Sequence, residues 1–136
     1  MNERKSVLLV EDDSDLRFAV VDALQEEGYA VVAASNGKEA IDRLLLETPC
    51  MVLLDMRMPV MNGVEFRRAQ LADRRIAAVP VVSFSASESE RLEAKSLGIS
   101  TSISKPVNLS RLLEVVSAHC GEPALETFQP SGVNAS

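Results

Sequence analysis

Short, unbroken apolar runs alternate along this chain with longer segments whose apolar residues recur every three or four positions. "SVLLV" (6–10), "YAVVAA" (29–34), "MVLL" (51–54) and "VPVVSFS" (79–85) are runs of the first kind, the pattern of strands buried on both faces. Between the first two, Leu16, Ala19, Val20, Ala23 and Leu24 mark one face of a helix that runs to Glu27 and closes at Gly28. A second helix spans 36–47 and is stopped by Thr48-Pro49; a third runs from about Val64 to Asp73. Ser87 with Glu90 three residues on is a capping box for a helix reaching Leu97 and ended by Gly98. "STSIS" (100–104) is a weak, polar fifth strand suited to a sheet edge, and Asn108 caps a last helix through His119. The alternation predicts an α/β fold, a three-layer arrangement with a parallel sheet covered by helices on both faces.

From Gly121 onward periodicity is lost and Pro, Gly and Ser accumulate. Residues 1–120 are therefore expected to form one domain and 121–136 a flexible C-terminal tail or linker stub. The net charge of −6 argues against a broad nucleic-acid-binding face, so no direct nucleic-acid binding is expected. No stretch approaches a membrane span, and the N-terminal apolar run is cut short by acids, unlike a secretory leader. A cytoplasmic location is expected. Cys50 and Cys120 stand far apart in no metal-ligand spacing and are read as buried thiols rather than a disulfide.

In an open parallel sheet, ligands bind beyond the carboxyl ends of the strands. The polar residues with chemical potential fall at those ends. Glu11, Asp12 and Asp13 follow the first strand, Asp55 the third, Ser85 the fourth, and Lys105-Pro106 the fifth. Carboxylates gathered there repel one another; a pair about 4 Å apart costs about 4 kcal/mol at an effective dielectric of about 20. A divalent hard cation is the natural neutraliser. With Lys105 added, positive charge exceeds what Asp55 requires, and the surplus suits an incoming phosphoryl group. Asp55 is then the nucleophile of an acyl phosphate, with the stiff "MPVMNG" loop (58–63) as the wall of its site.

"VLLVEDDSD", "VLLDMRMPVMNG", "VVSFSAS" and "SISKPV", in this order and at these spacings, resemble the response-regulator receiver domains of two-component signalling. The likeness runs from about Ser6 to about Cys120. It implies a doubly wound, flavodoxin-like receiver fold, a five-stranded parallel sheet of order 2-1-3-4-5. It also implies a role for each matching position. Asp55 resembles the phospho-accepting aspartate. Asp12 and Asp13 resemble the acidic pair holding Mg2+ (Mn2+ being the substitute ion), Asp13 directly and Asp12 through water. The backbone carbonyl of Arg57 is a further ligand. Ser85 is similar to the hydroxyl residue that moves onto the phosphoryl group, Lys105 to the lysine that contacts it, and Lys105-Pro106 to the family's cis peptide. The implied partners are a histidine kinase or phosphotransfer protein and a downstream protein target.

One position departs from the pattern. The family usually places Tyr or Phe three residues before the lysine, as half of the switch that carries the signal outward; here it is Ser102. A receiver-like interaction module that signals without phosphorylation is therefore kept as an alternative. A phosphatase of the haloacid-dehalogenase type needs a second acid two residues after the nucleophile, where this chain has Arg57. A phosphate-loop nucleoside triphosphatase fails at Asn36-Gly37-Lys38-Glu39, which lacks the upstream glycine and the Ser/Thr after the lysine. His119 suits the last helical turn by its effect on the macrodipole.

Overall fold

The computed structural model describes residues 6–123. Strands and helices alternate strictly: β1 (Ser6–Val10), α1 (Ser14–Glu26), β2 (Ala30–Ala34), α2 (Gly37–Leu46), β3 (Met51–Asp55), α3 (Gly63–Ala72), β4 (Val81–Ser85), α4 (Glu88–Ser96), β5 (Ser102–Ser104) and α5 (Leu109–Cys120). The strands form one parallel sheet of order β2-β1-β3-β4-β5. Each predicted element is present, with ends displaced by a residue or two. The fourth strand starts at Val81 rather than residue 79, because Pro80 has no N–H to give to a ladder. The Pro80 carbonyl still accepts from the Val52 N–H at 2.9 Å.

Successive strand residues point to opposite faces, and the unbroken apolar runs fill both. Leu8, Val10, Val52 and Leu54 pack with Ala40, Leu44, Phe66 and Ala94 under α2, α3 and α4. Val7, Leu9, Met51 and Leu53 pack with Val20, Leu24, Leu112, Val115 and Val116 under α1 and α5. Because β2 lies to one side of β1 and β3 to the other, chain direction across the sheet reverses between β1 and β3. That switch point is where such sheets open a crevice.

The loop between β3 and α3 is clamped at two glycines. A Cβ on Gly63 would lie 2.7 Å from the Met56 Cα, and one on Gly37 would lie 2.7 Å from the Met61 carbonyl oxygen. Both glycines also donate their N–H groups to those two residues, Gly63 to the Met56 carbonyl and Gly37 to the Met61 carbonyl, each at 3.1 Å. Asn62 and Glu65 complete a capping box at the start of α3. The loop is thus held by two helix starts, with Val60 at its tip in the left-handed region (φ 68°).

The structure corrects the expectation of free thiols, because Cys50 and Cys120 form a disulfide. Their Cα atoms are 5.3 Å apart although 70 positions separate them in sequence. The helix α5 runs back against the strand direction, so its last turn meets the start of β3, a proximity that spacing alone does not reveal. The Tyr29 hydroxyl donates to the Gly121 carbonyl at 2.8 Å beside that bond. The expected tail over 121–136 lies, from residue 124 onward, outside the described residues.

Two stability measurements check this description. Gly63→Ala should destabilise the domain by about 2 kcal/mol, the ordinary effect of forcing a methyl against backbone, read as a lower urea midpoint. Closing so long a loop stabilises a fold by about 4 kcal/mol. A reductant should therefore lower the wild-type midpoint and leave that of Cys120→Ser, already lowered, unchanged.

Candidate functional site

Glu11 continues the β1 ladder for one residue, its N–H donating to the Ala34 carbonyl at 3.0 Å. Its carboxyl is therefore delivered inward at the switch point and is fully buried. Asp55 ends β3 one strand over and is 3% exposed. Carboxylate oxygens of Glu11, Asp12 and Asp55 all lie within 4.8 Å of one another. Arg17 holds the turn from outside, donating to the Glu11 carbonyl at 2.8 Å and to the Asp12 carbonyl at 3.3 Å.

Asp13 stands apart from this cluster. Its side chain is the N-cap of α1 and accepts from the Asp15 and Leu16 N–H groups at 2.9 and 3.2 Å. Its own N–H donates to Glu11 Oε2 at 3.1 Å. The acidic pair facing Asp55 is therefore Glu11 with Asp12, one residue earlier than the expected Asp12 with Asp13. An Asp directly before a helix is a strong cap, since it satisfies N–H groups that the helix leaves unpaired. That preference was the signal in the sequence for setting Asp13 aside.

Positive charge arrives from the far side of the sheet. Lys105 follows β5 directly, and its Nζ lies 3.4 Å from Asp55 Oδ2 and 3.7 Å from Glu11 Oε1. Its backbone is fixed by an N–H bond to the Ser85 carbonyl at 2.9 Å and by a cis peptide to Pro106. One lysine does not balance three acids. Burial above all, then the close approach of the Asp55 carboxyl, pushes the Glu11 carboxyl up to about 7 against the opposing pull of the Asp13 N–H and Lys105. Among the described residues, Glu11 Oε1 has no hydrogen-bond partner, and neither does the buried Ser85 hydroxyl at the end of β4. Close hard-oxygen donors and an unpartnered buried carboxylate oxygen fit a divalent hard cation.

The remaining expected residues also have defined places. The Arg57 N–H donates to Asp55 Oδ1 at 3.1 Å, while its guanidinium reaches Glu90 of α4 at 3.0 Å. Ser102 lies on β5 opposite Ser83, and their hydroxyls are 2.7 Å apart. His119 places Nδ1 3.0 Å from the Val115 carbonyl. Among the described residues, no helix is long and apolar enough to cross a membrane.

Comparison with known proteins agrees with this geometry. The family model described as the response regulator receiver domain matches residues 7–117. Sporulation initiation phosphotransferase F of Bacillus subtilis (strain 168) is 31% identical over 120 residues, covering 88% of this chain and 94% of that protein. The polar-differentiation response regulator DivK of Brucella anthropi is 28% identical and covers 87% and 98% respectively. Among solved structures, chemotaxis protein CheY4 of Vibrio cholerae superposes with a TM-score of 0.78 at 28% identity, over 86% of this chain and 99% of that one. The receiver domain of a Pseudomonas aeruginosa sensor histidine kinase, which carries magnesium in its active-site cleft, shares the fold with a TM-score of 0.80 at 23% identity, covering 88% and 99%. The alternating fold, the acidic cluster at its switch point and these matches lead to one conclusion: the chain belongs to the response-regulator receiver domains of two-component signalling.

Proposed function

We propose that Asp55 accepts a phosphoryl group from the phosphohistidine of a histidine kinase or phosphotransfer protein. A carboxylate oxygen attacks phosphorus, the P–N bond breaks, and its electron pair leaves with the imidazole, which takes up a proton. The product is an acyl phosphate on Asp55. One observation carries this reading: Asp55 is buried at the switch point with one oxygen on the Arg57 N–H and the other facing Lys105 Nζ. A carboxylate so oriented meets the phosphorus in a fixed attitude, which is most of what such transfers need from a protein.

Glu11, Asp12, Asp55 and the Arg57 backbone carbonyl are the donors assigned to Mg2+, Asp12 taking the direct place expected of Asp13 and Glu11 the water-mediated place expected of Asp12. Mn2+ accepts the same oxygen set. When bound, the ion supplies positive charge to the transferring phosphoryl oxygens. Lys105 holds one of those oxygens, and the unpartnered Ser85 hydroxyl is free to donate to another. The domain acts as a signalling module, promoting only its own phosphorylation and dephosphorylation, and a downstream protein reads the result. In the cytoplasmic setting that goes with this role, the reducing pool acts against the Cys50–Cys120 bond. The Ser83–Ser102 pairing favours the second reading, an interaction module without phosphorylation, because a small hydroxyl already engaged cannot turn inward as a large ring does.

Incubation with a small phosphodonor and Mg2+ separates the readings. Wild-type protein is expected to gain an acid-stable, base-labile adduct, and Asp55→Asn none, with its circular dichroism unchanged. Steady phosphate release without an adduct means a phosphatase; neither product means the interaction module.

The Glu11 carboxyl gives a pH signature. Its pKa is about 7 in the folded chain against 4.5 as its ordinary value, so folding binds a proton. The stability this contributes is complete below pH 4.5 and is lost as pH rises through about 7. In chelator-treated buffer the wild-type urea midpoint should therefore fall between pH 5 and 8. Glu11→Gln should flatten that fall and be the more stable protein at pH 8.

A further inference from the structure

The loops that follow β3 and β4 flank Asp55, and a single carboxylate belonging to neither is bonded to both. Glu90, in the first turn of α4, accepts from the Ala86 N–H through Oε1 at 2.8 Å. Through Oε2 it pairs with Arg57 Nε at 3.0 Å. Its side chain is 12% exposed, whereas that of Arg57 is 70% exposed. Ala86 directly follows Ser85, and Asp55 lies opposite Phe84 in the sheet register, so both bonded segments border the reacting carboxylate.

Helix capping alone does not select this arrangement. In a capping box the third helical residue returns to the N-cap N–H, as Glu65 does at α3 by accepting from Asn62 at 2.9 Å. Ser87 is the N-cap of α4, yet Glu90 reaches past it to the N–H of Ala86. An anion from the chain itself thus occupies a backbone donor beside the unpartnered Ser85 hydroxyl and close to Lys105. All of them lie at the strand ends that border Asp55.

We infer that Glu90 is a displaceable internal anion, a positioning residue that holds the Ala86 N–H in the unmodified protein and yields it to a phosphoryl group on Asp55. The inference rests on the phosphoacceptor reading of Asp55. A phosphoryl group carries close to two negative charges and strong acceptor oxygens. It competes for the same donor and repels the carboxylate that holds it. Release of Glu90 frees the first turn of α4 from both flanking loops. The signal then reaches α4 directly from the site, along a route that does not pass through Ser102.

Titration with beryllofluoride and Mg2+, followed by amide resonances, tests this on the whole chain. In wild type, Ala86 and residues 87–91 should shift strongly on binding. Glu90→Ala, with the donor already vacant, should bind beryllofluoride several-fold more tightly, and its α4 shifts on binding should shrink. Glu90→Gln, which keeps an acceptor but loses the charge, should fall between the two and carries the test if the alanine variant is unfolded. Affinities within twofold of wild type, with α4 shifts undiminished, would make Glu90 a helix cap and overturn the inference alone. Absence of binding by wild type would overturn the phosphoacceptor reading and this inference together.

Discussion

The site depends on a charge deficit that the sheet enforces. Two neighbouring parallel strands end at the point where chain direction reverses, and each presents a buried acid there, Glu11 and Asp55. Asp12 brings a third carboxylate oxygen into the same small volume, against one nearby ammonium. In isolation that arrangement is unfavourable, and it persists because the core beneath it is dense and continuous on both faces of the sheet. The rest of the site answers the deficit: Lys105 reaches in, the Glu11 carboxyl keeps its proton to an unusually high pH, and the donors converge as a hard cation needs.

Rigidity around the reactive carboxylate comes from backbone contacts rather than from its own hydrogen bonds. The β3–α3 loop is pressed against two glycines, so its path is set by close approach at Met56 and Met61. That loop carries the Arg57 N–H that holds one oxygen of Asp55. The opposite wall, from Ser85 to Ser87, is held by Glu90 from α4. Close approach at the glycines fixes the first wall, while the second is held by the Lys105 N–H and by Glu90, whose carboxylate also reaches the first through Arg57.

Much of this was legible in the residues themselves. Unbroken apolar runs marked the buried strands, and the polar residue after each run marked the edge that holds the chemistry. The strand order came from the family likeness, since periodicity carries no information about which strands are neighbours. Three features were hidden for separate physical reasons. Asp13 and Glu11 both sit in an acidic run, and the choice between them depends on where the ladder ends and the helix cap begins. Cys50 and Cys120 are joined only because α5 returns to the start of β3. Glu90 looked like an ordinary capping residue, and its reach past Ser87 to Ala86 is visible only in three dimensions.

The covalent link at the end of α5 has a mechanical consequence. The helix begins three residues after Pro106, beside the acidic cluster, and ends at a disulfide and a tyrosine hydroxyl at the other pole of the sheet. It is thus a strut anchored at its far end. A displacement entering through Lys105 meets a helix whose far end is covalently tied to the start of β3. Breaking the anchor would leave the end of α5 held by its core packing and the Tyr29 hydroxyl, so two sulfurs remote from the chemistry bear on how firmly this face of the domain is held.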